Sequence, residues 1–226
     1  MAGHGQSGHR PGSSPYNIWE DVAEIFAIAD QLGWDKFALL GHSRGAIIAM
    51  LAAGTFPERI SHLALIEGLL PEPARIEEAP EQLANSIKIT RALSAKPLST
   101  YPDIETATQA RERGMFPLSR SAALALTERG LAPIAGGYRW STDQRLLAPS
   151  AVKLTREHIQ AFIARIQAPI KLILGQEGIP KRFANYRREV SVFSQVDVVS
   201  IPGGHHLHME QEVAAVAPLL NEFFHV

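Results

Sequence analysis

Apolar residues recur at Ile18, Val22, Ile25, Phe26, Ala29 and Leu32, the spacing of one face of an amphipathic helix, and Asn17 and Glu20 stand where an N-cap and its N3 partner belong. The pattern predicts a helix over 18–32. Lys36 to Leu40 is a short, mostly apolar run leading to Gly41, and Ala46 to Ala53 is a second run ended by Gly54 and Pro57, which together read as strand, sharp turn and buried helix. His62 to Glu67 reads as another buried strand, followed by Gly68 and the punctuation of Pro71, Pro73 and Pro80. Between about 81 and 166 the periodicities are helical (Leu83, Ile87, Leu93; Leu124 to Leu131; Ile159, Phe162, Ile166), with turns at Pro97, Pro102, Pro117 and Gly136-Gly137, so a helical insertion is expected. Strand character returns in Ile170 to Leu174 and Val196 to Ile201, and an amphipathic helix from about Gln211 to Phe224 closes the pattern. Strands alternating with helices predict an α/β fold with a mainly parallel sheet covered on both faces. The expected division is a core of 1–70 and 168–226 around a cap of 71–167, with Gly3 to Pro15, rich in Gly, Ser and Pro, as a loop.

Composition narrows the classes of function. In 226 residues, 46% hydrophobic content suffices for a sizeable core, and the near-balance of 22 basic against 23 acidic residues gives no reason to expect nucleic acid or an anionic membrane as partner. The absence of cysteine excludes a disulfide framework, a thiolate metal site and a cysteine nucleophile, and fits a cytoplasmic protein. No apolar stretch approaches the roughly 20 residues that span a bilayer, and the first residues lack an apolar signal region, so a soluble, untargeted chain is expected.

Gly41-His42-Ser43-Arg44-Gly45 is a G-x-S-x-G between a predicted strand and a predicted helix. A serine on such a turn is held in a strained conformation that projects its hydroxyl clear of the sheet, which makes Ser43 the candidate nucleophile. The amide of Arg44, at the helix N-terminus, is placed to donate to an oxyanion. A serine hydroxyl needs a base, expected on a loop after a late strand. Pro202-Gly203-Gly204-His205-His206-Leu207-His208 follows the last predicted strand; His205 is the first candidate, with His206 and His208 behind it. These histidines with His4 or His9 form a weaker metal reading, because no H-E-x-x-H or carboxylate cluster completes a site. For the orienting acid, Glu67 and Glu177 each lie at a strand end.

Gly41 to Gly45, the segment Ala2-Gly3-His4-Gly5-Gln6-Ser7, the late Gly204-His205 and the strand order resemble the α/β-hydrolase superfamily, and Tyr138-Arg139-Trp140 through Asp143-Gln144-Arg145-Leu146 resembles its serine-hydrolase-like branch. The resemblance implies an eight-stranded sheet, a helical cap and ester, amide or related hydrolysis through an acyl-enzyme, without cofactor; a small ester or similar acyl compound is the expected substrate, and no metal is expected. Two departures stand out. The commonest family acid lies three residues after a glycine at the end of the seventh strand, and here that position is Gly178; Glu67 matches the alternative acid position at the end of the sixth, which ranks it above Glu177. The G-H-G-x-S segment normally follows the fourth strand, yet here it begins at Gly3, so the first strands and the loop that supplies a second oxyanion amide are expected to be missing.

The expectation is therefore a serine hydrolase with Ser43 attacking, His205 as base and acid and Glu67 orienting it, its activity impaired and self-association promoted by an unpaired sheet edge at Phe37-Ala38-Leu39-Leu40. A non-catalytic binding or signalling protein on the same fold is the rival. A dehalogenase would need aspartate at Ser43.

Overall fold

The computed structural model describes residues 1–12 and 14–225. Its elements run α1 (Ile18–Gln31), β1 (Phe37–His42), α2 (Arg44–Thr55), β2 (Ile60–Ile66), α3 (Ala79–Ala95), β3 (Thr100–Tyr101), α4 (Ile104–Glu112), α5 (Arg120–Gly130), β4 (Leu131–Ile134), β5 (Gly137–Trp140), α6 (Arg156–Arg165), β6 (Ile170–Gly175), α7 (Ile179–Arg182), α8 (Tyr186–Val190), β7 (Val196–Ile201) and α9 (Val213–Phe224). They fall into two compact units, one of Met1–Asp21 with Arg75–Lys153 and one of Val22–Ala74 with Leu154–Val226.

The second unit holds a parallel sheet of order β1-β2-β6-β7. Its two inner strands carry almost only apolar side chains because helices cover both faces: Leu63, Leu65, Ile66, Leu172, Ile173 and Leu174 are all buried. On one face Ile66 and Ile173 meet Val216 of α9 and Leu207 of the loop before it. The other face receives α2, which is buried from Ile48 to Gly54 and packs along α6. α2 is apolar nearly all round, as a helix between a sheet and a second helix must be. The outer strands are less covered: Leu40 of β1 and Val198 of β7 are exposed. The connection from α1 to β1 is fixed by Arg59, whose guanidinium donates to Asp30 Oδ1 at 2.8 Å, the Trp34 carbonyl at 2.7 Å and the Asp35 carbonyl at 2.5 Å.

The first unit corrects the expectation of a purely helical insertion. Besides α3, α4 and α5 it contains an antiparallel sheet of order β3-β5-β4. Leu131 falls where a helical period from Leu124 would place it, which hid the boundary; α5 ends at Gly130, and β4 and β5 are joined across Ala135-Gly136. The glycine pair reads as a turn in the sequence, but strands this short leave too few positions for a period of two to register.

The same unit anchors the N-terminal loop on a buried polar network. Arg145 Nη2 donates to Asp143 Oδ2 at 2.7 Å and to the Arg10 carbonyl at 2.5 Å, Tyr16 OH donates to Asp143 Oδ2 at 2.9 Å, and Asp143 N donates to the Gly3 carbonyl at 2.9 Å. Burial opposes ionisation of Asp143, but the bonds from Arg145 and Tyr16 prevail and hold its carboxyl at about 2. The Asp143-Gln144-Arg145 segment thus ties down Gly3, Arg10 and Tyr16. Ser13, within that expected loop, lies outside the described residues. Among the described residues no helix is long and apolar enough to cross a membrane.

Candidate active site

Ser43 sits in the turn from β1 to α2 with φ 54° and ψ −119°, and Glu67 follows β2 with φ 51°. They are the two non-glycine residues with positive φ among those described. Such conformations cost about 1–3 kcal/mol each and persist only where the surroundings fix them. Here the ladder fixes both: Ser43 N donates to the Ile66 carbonyl at 2.9 Å and Glu67 N to the Ile173 carbonyl at 2.9 Å, so each residue is held by the next strand just past its own end. The turn at Ser43 closes tightly enough that a Cβ on Gly41 would lie 2.5 Å from the Gly45 carbonyl oxygen, which explains the glycine there.

The structure brings Ser43, His205 and Glu67 together. Ser43 Oγ lies 2.9 Å from His205 Nε2, and His205 Nδ1 lies 3.0 Å from Glu67 Oε2. With the proton on Nδ1, the imidazole donates to the carboxylate and accepts from the serine hydroxyl. Glu67 is fully buried and accepts two more bonds, from Gly175 N to Oε1 and Ile179 N to Oε2, both 2.6 Å. Three donors therefore converge on one carboxylate and fix its position beside His205.

Glu177 is elsewhere: its side chain is exposed and pairs with Lys181 one helical turn on, while its backbone N donates to the Gly203 carbonyl. The glycine at 178 has a direct structural reason. A Cβ built there would lie 2.1 Å from Glu67 Oε2 and 2.4 Å from Glu67 Cδ, so the Glu67 carboxylate occupies the space into which a side chain at 178 would project.

Two residues that the sequence reading passed over support this arrangement. His42 Nε2 donates to the His205 carbonyl at 2.8 Å, and its ring lies 4.2 Å from that of His208 and 4.8 Å from that of His205. Burial, with smaller contributions from the neighbouring imidazoles, lowers the His42 pKa to about 3, so the ring is neutral. Tyr186 OH accepts from Leu69 N at 2.8 Å and Leu70 N at 3.2 Å, fixing the chain beyond Glu67; burial pushes its pKa up to about 12. His42 was visible as the variable letter of G-x-S-x-G, whereas nothing near Tyr186 in the sequence marks it.

A cavity of about 590 Å³ opens beside Ser43, with Ile47, Leu70, Pro71, Phe183 and Tyr186 among its apolar walls. Arg44 is the first residue of α2 and borders the same space. His208 lies in the imidazole group around His42, and its pKa is lowered by burial and by His205. His206 is 5.1 Å from the His205 ring. His9 Nε2 donates to the Ser141 carbonyl at 2.9 Å, and His4 Nδ1 to the Ala2 carbonyl at 3.1 Å. Among the described residues no three of His, Cys, Asp and Glu are grouped so as to hold a metal ion.

The sequence profile of the α/β-hydrolase fold matches residues 1–89. Serine hydrolase-like protein 2 of Homo sapiens is 28% identical over 248 residues, covering 99% of this chain and 76% of that protein, and the serine hydrolase-like protein of Danio rerio is 23% identical, covering 98% and 70%. Among solved structures, the thioesterase domain from the curacin biosynthetic pathway superposes with a TM-score of 0.80 at 28% identity, covering 97% of this chain and 79% of that one. A hypothetical protein of Pseudomonas aeruginosa PAO1 superposes with a TM-score of 0.94 at 40% identity over all of this chain and 80% of its own. Parallel sheet, strand-to-helix turn and kinship agree: this chain belongs to the α/β-hydrolase superfamily, with serine hydrolase-like proteins among its relatives.

Proposed function

We propose that the chain is a serine hydrolase that cleaves a small ester or related acyl compound through an acyl-enzyme, with Ser43 as nucleophile, His205 as general base and acid, and Glu67 as the orienting carboxylate. The observation that carries this reading is the continuous relay from Ser43 Oγ to His205 Nε2 and from His205 Nδ1 to Glu67 Oε2, at 2.9 and 3.0 Å.

Ser43 Oγ adds to the substrate carbonyl carbon as its proton passes to His205 Nε2. The charge that develops on the carbonyl oxygen is stabilised by the Arg44 amide at the start of α2. Glu67 stabilises the imidazolium, which gives its proton to the departing alcohol or thiol as the carbon–leaving-group bond breaks. Water, deprotonated by His205, then attacks the acyl-serine and releases the acid with Ser43 restored. The apolar walls at Ile47, Leu70 and Phe183 suit an uncharged acyl portion, and a thioesterase domain among the structural relatives brings thioesters into the substrate class.

The test is labelling by a fluorophosphonate probe, with turnover of p-nitrophenyl butyrate measured in parallel. Labelling confined to Ser43 and lost with turnover in Ser43→Ala is the expected result. A folded chain that neither labels nor turns over would make this a binding protein on a hydrolase fold.

A further inference from the structure

The unit of residues 1–21 and 75–153 contains a cavity of about 1140 Å³ whose lining includes none of Ser43, His205 and Glu67. Three cations line it. Lys96 caps the C-terminal end of α3, Arg111 lies in the last turn of α4 and Arg129 in the last turn of α5. Leu98, Tyr101, Leu126 and Trp140 give the same lining apolar and aromatic walls, beside polar residues that include His4 and Gln144. One acid reaches the lining, Asp143, and its carboxylate already accepts from Arg145 and Tyr16.

Cations at helix C-termini are favoured by the helix dipole, which offsets about half a charge at each end. A surplus of positive charge remains after that correction. Some other arginines of this unit are paired: Arg120 with Glu105 and Glu112, Arg145 with Asp143, Arg10 with Glu20, Arg75 with Glu77. Among the described residues no hydrogen bond or ion pair engages the side-chain nitrogens of Lys96, Arg111 or Arg129. Burial alone draws the Arg111 guanidinium below the usual arginine range, the sign of a cation that has lost water and gained no counter-charge.

We propose that this cavity binds an organic anion, a carboxylate or phosphate monoester carried on an apolar body, with the acidic group between Arg111, Arg129 and Lys96 and the body against Leu98, Leu126 and Trp140. Planar guanidinium groups match both acids, and a charged head on an apolar tail satisfies walls that neither inorganic phosphate nor a hydrocarbon would satisfy alone. The inference does not rest on the reading of Ser43.

Octanoate, octyl phosphate and uncharged octanamide are titrated by calorimetry and by tryptophan fluorescence into the full chain and into Ser43→Ala. Both anions are expected to bind both proteins, with octanamide at least about tenfold weaker and with anion affinity falling as salt is raised. Arg111→Gln and Arg129→Gln should each weaken the anions by about three- to tenfold and leave octanamide unchanged. Comparison of the two anions decides which acid the site prefers. Octanamide binding as tightly as octanoate, affinity indifferent to both substitutions, or no binding up to ~10 mM would overturn the proposal. The salt dependence of the unsubstituted chain decides the matter even if a variant fails to fold.

Discussion

If the Glu67 carboxylate fills the space that a side chain at 178 would need, the acid can be moved from one loop to the other. With Glu67 in place, Gly178→Asp should fail, because its Cβ would lie 2.1 Å from Glu67 Oε2 and it would bring a second negative charge against the first. Glu67→Gln should lower kcat by about 10³–10⁴, the loss expected when the imidazole keeps its place without a carboxylate beside it. Glu67→Ala has a second effect: it strips the acceptor from Gly175 N and Ile179 N, both bonded at 2.6 Å in the native chain. Leaving the buried Gly175 N unsatisfied costs about 1–3 kcal/mol and the half-buried Ile179 N less, a fall in melting temperature on the order of 10 °C for a chain of this length. In the double variant Glu67→Ala/Gly178→Asp the aspartate enters the vacated space, within reach of the same two amides and of His205 Nδ1. Both quantities should recover part of the loss, with kcat at least about tenfold above Glu67→Ala and most of the melting temperature restored. p-Nitrophenyl butyrate turnover and thermal melting of the four proteins read the cycle. A double variant no better than Glu67→Ala in either assay, or Glu67→Gln within tenfold of the parent, would refute the reasoning.

Two further outcomes follow from the same geometry. His42→Phe removes the donor to the His205 carbonyl while keeping a ring, and should lower kcat about tenfold with little change in KM, whereas His42→Gln should recover part of the loss; an unchanged kcat would show that the loop holds His205 without it. Asp143, held at about 2 against an ordinary 3.8, contributes stability that is present in full above about pH 4 and is lost as the pH falls through about 2; acid melts of Asp143→Asn should be flatter over that range than those of the parent.

The pairing of Ser43 with His205 was legible because the signals of both residues are local. Glycines two residues either side of Ser43 fit a strand-to-helix turn, and His205 follows two glycines after a strand. Glu67 was legible only relative to Gly178: the missing aspartate was readable, but its reason, a Cβ position filled by a carboxylate 111 positions away in sequence, exists only in three dimensions. The buried strands β2 and β6 were found because both faces are apolar. β4 and β5 were missed because four residues each, running on from a helix, carry no usable period. The Asp143-Arg145 pair was noticed as a pattern without its structural meaning, since its partners Gly3, Arg10 and Tyr16 lie more than 120 positions earlier.

Ser43 and Glu67 are each bonded to the strand beside them, whereas His205 arrives on Pro202-Gly203-Gly204, a segment held by the bond from Glu177 N to the Gly203 carbonyl, by the His42 bond and by Leu207 in the core. Ser43 and Glu67 can therefore be displaced only by breaking the sheet. His205 is carried on a loop whose bonds, to Glu177 N, His42, Ser43 and Glu67 among others, lie outside the strand ladder, so it can swing aside while every strand stays paired. On gentle heating, catalysis should then fade in a first, reversible stage in which the histidine loop comes loose, before the melt of the sheet itself, and amide exchange should show 203–208 opening ahead of β2 and β6.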